Sequence, residues 1–228
     1  MLDCQANSVQ RWLKRCGLLT TRVPSAGPPP ALTLAADTRS VRVRFWIMTD
    51  KDREKWDSRY LKDIGGSGPS LILKAFLGLA PCGNALDIAC GNGRNSLFLA
   101  EKGFIVDAVD ISTVATNHLA GRDPNINVIC QDIDAWKIPQ NRYELVVNIR
   151  FLDRRLFPMI QDGLRPGGVL IFESFIGGKK DEYCLKQNEL LQVFQSFHIV
   201  YYEEKKSDHS DTFDQTVSLV AIKTDSAV

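Results

Sequence analysis

From Thr49 onward the chain alternates between helical and extended apolar patterns. Asp50 to Lys62 is polar with widely spaced apolar positions, which predicts a helix entered by the cap candidates Thr49 or Asp50. Ser70 to Leu79 reads as an apolar helix stopped by Pro81 and Gly83. The pattern then predicts strand 85–89, helix 95–102 with Gly103 at its end, and strand 105–110. Helix 114–120 and strand 127–130 follow, then strand 145–149, helix 154–164 and strand 169–173. Arg165-Pro166-Gly167-Gly168 reads as the turn before that last strand.

The end of the chain changes rhythm. Helix 189–197 leads into strand 198–203, a polar tip over 205–214, and strand 216–222. Two strands joined without a helix form an antiparallel hairpin, whereas strands alternating with helices make a parallel sheet. The fold expected is α/β: a Rossmann-like sandwich on a mostly parallel seven-stranded sheet, closed by an antiparallel hairpin.

The first 47 residues differ from the rest. Pro24 to Pro30 is rich in Pro, Gly and Ser, and residues 1–47 carry +5 of a net charge of +1, leaving −4 beyond them. They are expected to be a low-complexity or disordered extension ahead of a domain over 48–228; an Arg-rich transit peptide and a true start at Met48 are the other readings. The −4 domain has no basic stripe, which argues against a nucleic-acid partner. No apolar run reaches membrane-spanning length, so no membrane partner is expected. Six cysteines without a C-x-x-C pair suggest a reducing, cytoplasmic setting, with Cys90 and Cys130 as core residues. His118, His198 and His209 are scattered, so no metal site is expected.

The chemistry concentrates in Leu86-Asp87-Ile88-Ala89-Cys90-Gly91-Asn92-Gly93-Arg94-Asn95. This is a buried strand, a glycine turn and a helix start, where backbone can approach a ligand and free N–H groups face it. A dinucleotide fingerprint requires a third glycine where Ser96 stands. Ligands of such sheets bind at the carboxyl ends of the strands. Asp110, 19 residues beyond Gly91, ends the second strand and can accept ribose hydroxyls. Asp132 follows the third strand and can accept from an adenine amino group, with Ile111 and Ile133 sandwiching the ring. Asn148 ends the fourth strand, next to where a reacting group would lie.

From about Trp56 to Lys223 the chain resembles the class I S-adenosylmethionine-dependent methyltransferases. Its first motif, D-x-G-x-G-x-G, is matched except that Ala89 replaces the first glycine, narrowing the room beside the ligand. Gly91-Asn92-Gly93-Arg94-Asn95-Ser96-Leu97 and Trp56-Asp57-Ser58-Arg59-Tyr60 are similar to the tellurite-resistance methyltransferase family and its small-molecule relatives. The resemblance implies S-adenosylmethionine as cofactor. It places Asp87, Gly91 and Gly93 at the methionine part, Asn95 in support of the turn, and Arg59 and Tyr60 over the methionine carboxylate. Asp110 and Ile111 would hold the ribose and adenine edge, and Asp132 and Ile133 the adenine.

The expected activity is methyl transfer to a small-molecule acceptor, with a thiol or a tellurium or selenium compound as candidates. No histidine falls at a ligand-side strand end, so no catalytic base is assigned, which favours acceptors that are already nucleophilic. Asn148 and Arg150 are candidates for orienting the acceptor. A cofactor-binding sensor or partner subunit without turnover is the alternative. Oligomeric state is not legible.

Overall fold

In the computed structural model, a seven-stranded sheet runs in the order β3-β2-β1-β4-β5-β7-β6. The structure describes residues 50–65, 68–133, 135–177, 184–206 and 215–224, which lie in one compact unit, Phe45–Val228. The expectations for residues 1–47 and for most of the polar tip fall outside the described residues. The elements are α1 (Asp50–Lys62), α2 (Leu71–Phe76) with a 3-10 turn at Leu77–Leu79, β1 (Asn84–Ile88), α3 (Arg94–Glu101) and β2 (Ile105–Asp110). Then come α4 (Thr113–Leu119), β3 (Ile126–Cys130), β4 (Tyr143–Ile149), α5 (Leu156–Gly163), β5 (Leu164–Ile176), α6 (Glu189–Val193), β6 (Phe197–Lys206) and β7 (Gln215–Lys223).

Strands β3, β2, β1, β4 and β5 are parallel, while β7 pairs antiparallel with both β5 and β6. Successive strand residues serve opposite faces, so both faces must be apolar where helices cover both. Leu86, Ile88 and Val146 pack with Leu156, Phe157 and Ile160 of α5. Ala85, Leu145 and Val147 pack with Leu73 of α2, Leu99 of α3 and Leu119 of α4. The strand order reverses between β2-β1 and β1-β4, opening the crevice at the carboxyl ends where ligands of such sheets bind.

Three expectations are corrected. β5 starts at Leu164, because Leu164 pairs with Tyr143 and a register shift between Tyr143 and Leu145 absorbs the Pro-Gly-Gly residues within the strand. α6 stops at Val193, because the polar stretch after it turns so that Phe194 and Phe197 both reach an aromatic cluster with Phe157 and Phe172. Cys130 is exposed rather than in the core, since β3 is an edge strand.

Candidate functional site

The glycine turn is built by three left-handed residues at alternate positions. Ala89 (φ +52°), Gly91 (φ +57°) and Gly93 (φ +78°) carry the chain from β1 into α3. The Cys90 N–H donates to Val109 O at 3.0 Å, and the Gly93 N–H to Cys90 O at 3.0 Å. The Leu97 N–H then donates to Gly93 O at 2.8 Å and starts the helix. A Cβ on Gly93 would collide with the Leu119 side chain. A Cβ on Gly91 would lie 2.5 Å from Tyr60 Oη, so that hydroxyl rests on the turn. Beyond the narrowing expected from its side chain, Ala89 therefore brings a conformational cost: a left-handed alanine in a position that favours glycine.

Two buried carboxylates flank the turn. Asp87 is 1% exposed and accepts from Ser96 Oγ at 2.6 Å. Burial pushes its pKa up to about 7 against the opposing effects of the Ser96 bond and the Arg94 charge. Ser96, which breaks the dinucleotide fingerprint, is thus the partner of the motif's aspartate. Asp110 accepts the Gly91 N–H on Oδ2 at 2.8 Å and the Ser112 N–H on Oδ1 at 2.8 Å. Burial raises its pKa, opposed by those same bonds. Each carboxylate oxygen keeps a further lone pair for an incoming hydroxyl.

The remaining strand ends bring together some expected residues and separate others. Asn148 sits opposite Ile88 in the β1–β4 register and is 2% exposed. Its Nδ2 donates to Phe151 O at 3.0 Å, while its buried Oδ1 has no hydrogen-bond partner among the described residues. Arg150 takes a left-handed backbone (φ +62°) and donates its N–H to Glu173 O at 2.7 Å; its Nε lies 3.5 Å from Glu173 Oε1. Ile111 and Ile133 are both buried, and Ile133 packs into the α5-side core. Asp132 accepts the N–H groups of Ala135 and Trp136 on its backbone oxygen, shaping the loop after β3. The Asn95 Oδ1 accepts the Ser70 N–H at 3.0 Å, tying the start of α2 to α3.

Helix α1 overlies this region with no residue fully buried and with Trp56 and Tyr60 half-buried. Trp56 and Tyr60 share a face, with ring centroids 6.2 Å apart. Burial and the neighbouring Asp110 push the Tyr60 phenol up to about 12. Arg59 is exposed, with Cζ 5.2 Å from the Trp56 ring centroid. Sequence reasoning missed Asp57, whose Oδ1 accepts from Ser112 Oγ at 2.5 Å and from the Val114 N–H at 3.1 Å. Burial raises the Asp57 carboxyl, but the Ser112 and Val114 bonds outweigh it and hold the pKa below the usual range. It also missed Asn92, whose Nδ2 donates to Ile64 O at 2.7 Å. Asp57 had no spacing to mark it; Ser112, by contrast, stands as a serine before a helical pattern, a recognisable N-cap.

A cavity of about 570 Å³ opens on the outer flank of the turn, bounded by Lys62, Asn92, Arg94, Leu97, His118 and Arg122. None of the expected site residues lines it. Among the described residues no cluster of His, Cys, Asp and Glu could hold a metal, and no helix is long and apolar enough to cross a membrane.

Residues 85–168, which span the turn and all four strand ends described above, match the model of the family described as "Methyltransferase domain". This segment is similar to a methyltransferase domain, and the sheet around it shares the fold of solved methyltransferases. Over 100 residues the chain is 33% identical to a ubiquinone biosynthesis O-methyltransferase of Coxiella burnetii, covering 40% of this chain and 43% of that protein. Over 178 residues it is 31% identical to hemagglutinin 1 of Eikenella corrodens, covering 70% and 58%. It is 27% identical over 148 residues to a protein of Haemophilus influenzae named "Probable S-adenosyl-L-methionine-dependent methyltransferase TehB", covering 57% and 51%. The crystal structure of TehB from Haemophilus influenzae superposes with a TM-score of 0.60 at 22% identity, covering 75% of this chain and 67% of that one. The chain thus spans about half the length of the curated relatives it matches.

Proposed function

We propose that residues 48–228 bind S-adenosylmethionine along the carboxyl edge of the sheet and transfer its methyl group to a small-molecule acceptor. The observation that carries this reading is the convergence on one crevice of the glycine turn, the Asp110 carboxylate bonded to it, and the orphaned Oδ1 of Asn148. A buried acceptor atom without a partner costs stability, which a ligand donor at that place would recover. These residues fit the cofactor: Asp110 offers lone pairs to ribose hydroxyls, and Asp87 lies under the turn. Asp132 and the Ile111 side chain would frame the adenine, and Tyr60 would cover the methionine end. The bound sulfonium would supply an electrophilic methyl group.

The chain's own part is to orient the acceptor and keep it dry. Asn148 and Arg150 stand at the end of β4 beside that place and would orient the acceptor. At neutral pH the Tyr60 phenol and the buried Cys90 thiol hold their protons, the latter because burial and the nearby Asp87 raise its pKa. Glu173 is engaged by Arg150. This supports an acceptor that arrives already nucleophilic, such as a thiolate or the oxyanion of a tellurium or selenium compound. The test is transfer of isotope-labelled methyl from S-adenosylmethionine to a panel of thiols, selenite, tellurite and phenols. Labelled product from thiols or chalcogen oxyanions, and not from phenols, is expected. Methylation of phenols alone would overturn the acceptor class.

A further inference from the structure

No residue of helix α1 is fully buried; Trp56 and Tyr60 are half-buried, so apolar packing alone fixes its position weakly. Polar ties add to it, and they converge on one short segment. Asp57 Oδ1 accepts from Ser112 Oγ and the Val114 N–H, and Arg53 Nε donates to Ile111 O at 3.3 Å. That segment directly follows Asp110. Ser112 bridges two carboxylates: its N–H goes to Asp110 and its Oγ to Asp57. The other oxygen of Asp110 holds the Gly91 N–H, and Gly91 lies under Tyr60, three residues on from Asp57 in the same helix. The contacts therefore close a ring: Asp57, Ser112, Asp110, Gly91, Tyr60, and back through α1 to Asp57.

We infer that Asp57 is a positioning residue for cofactor binding: through Ser112 it couples the seating of α1, and so of Tyr60 over the glycine turn, to the loop that carries Asp110. This rests on the cofactor reading above. Asp57 does not touch the cofactor; it decides whether the parts that would are held together before binding. In a closed ring, a ligand that orders the loop also seats the helix, and breaking the ring lowers affinity by the same coupling.

The experiment is calorimetric titration of S-adenosylhomocysteine into the full chain, Asp57→Ala, Asp57→Asn and Glu54→Ala, with hydrogen exchange of α1 amides and melting temperatures of the free proteins. Asp57→Ala removes the shared acceptor and is expected to weaken binding about 10-fold, roughly 1.4 kcal/mol. It should also abolish the protection that the ligand gives α1. Asp57→Asn keeps an acceptor oxygen and should bind within about 3-fold of the parent. Glu54→Ala, on the exposed side of the same helix, should bind as the parent does. Because the substitutions leave the half-buried Trp56 and Tyr60 in place and no α1 residue is fully buried, melting temperatures of the free variants should stay close to the parent's. Unchanged affinity in Asp57→Ala, or weaker affinity with α1 protection intact, overturns this inference and leaves the cofactor reading standing. A parent chain that binds no S-adenosylhomocysteine overturns both.

Discussion

Ala89 and Asp87, two residues apart, carry opposite burdens for the glycine turn. Ala89 adopts φ +52°, where a Cβ crowds its own backbone. Replacing it with glycine removes that crowding but loosens the unfolded chain, so the net gain is modest. Ala89→Gly should stabilise the protein by about 1 kcal/mol, seen as a melting temperature about 2–4 °C higher; a lower melting temperature would mean the alanine methyl packs to more effect than its backbone costs. Asp87 stores its burden in burial, with a pKa of about 7 against an ordinary 3.8. Folding therefore takes up a proton between those values. The stability this contributes is full below the ordinary value and is lost as pH rises through about 7. Asp87→Asn removes that titration. Its melting temperature should exceed the parent's above pH 7, with the difference shrinking toward pH 4. Parallel melting curves for the two proteins from pH 4 to 8 would contradict the assignment.

Elements built on apolar periodicity were legible in the sequence. Helix α1 runs over the predicted residues, β2 likewise, and the alternation of strands and helices yields the observed parallel core with its hairpin. What was not legible depends on neighbours. The start of β5 is set by Tyr143 across the ladder, and the end of α6 by an aromatic cluster drawn from α5, β5 and β6. Exposure of Cys130 follows from strand order, which local pattern does not contain. The site divides the same way. The left-handed turn joins β1 to α3, and Asp87 and Asp110 are buried beside it in β1 and at the end of β2. The tie from Asp57 to Ser112 joins residues 55 apart, and no spacing rule reaches that far. Asn95 reads as a turn residue yet serves the start of α2, because a helix-facing amide bonds to whatever backbone packs above it.

At the scale of the whole molecule, one topological fact organises the rest. The sheet changes direction of growth at β1, and the glycine turn, Asp110 and Asn148 belong to the three strands that meet there. The polar atoms gathered at that crevice are buried at a cost, and under the proposed function a cofactor bound there would offset it by mass action. A ligand at about 100 times its Kd stabilises the folded state by about 2.7 kcal/mol. The central claim is that this crevice is a cofactor site in which the Asp110 carboxylate holds the ribose. Its most direct test is calorimetric titration of S-adenosylhomocysteine and NADH into the parent chain and Asp110→Ala. Saturable binding of S-adenosylhomocysteine alone, weakened at least about 10-fold in Asp110→Ala, is the predicted result. Binding of NADH instead, or equal affinity of parent and variant for S-adenosylhomocysteine, would contradict it.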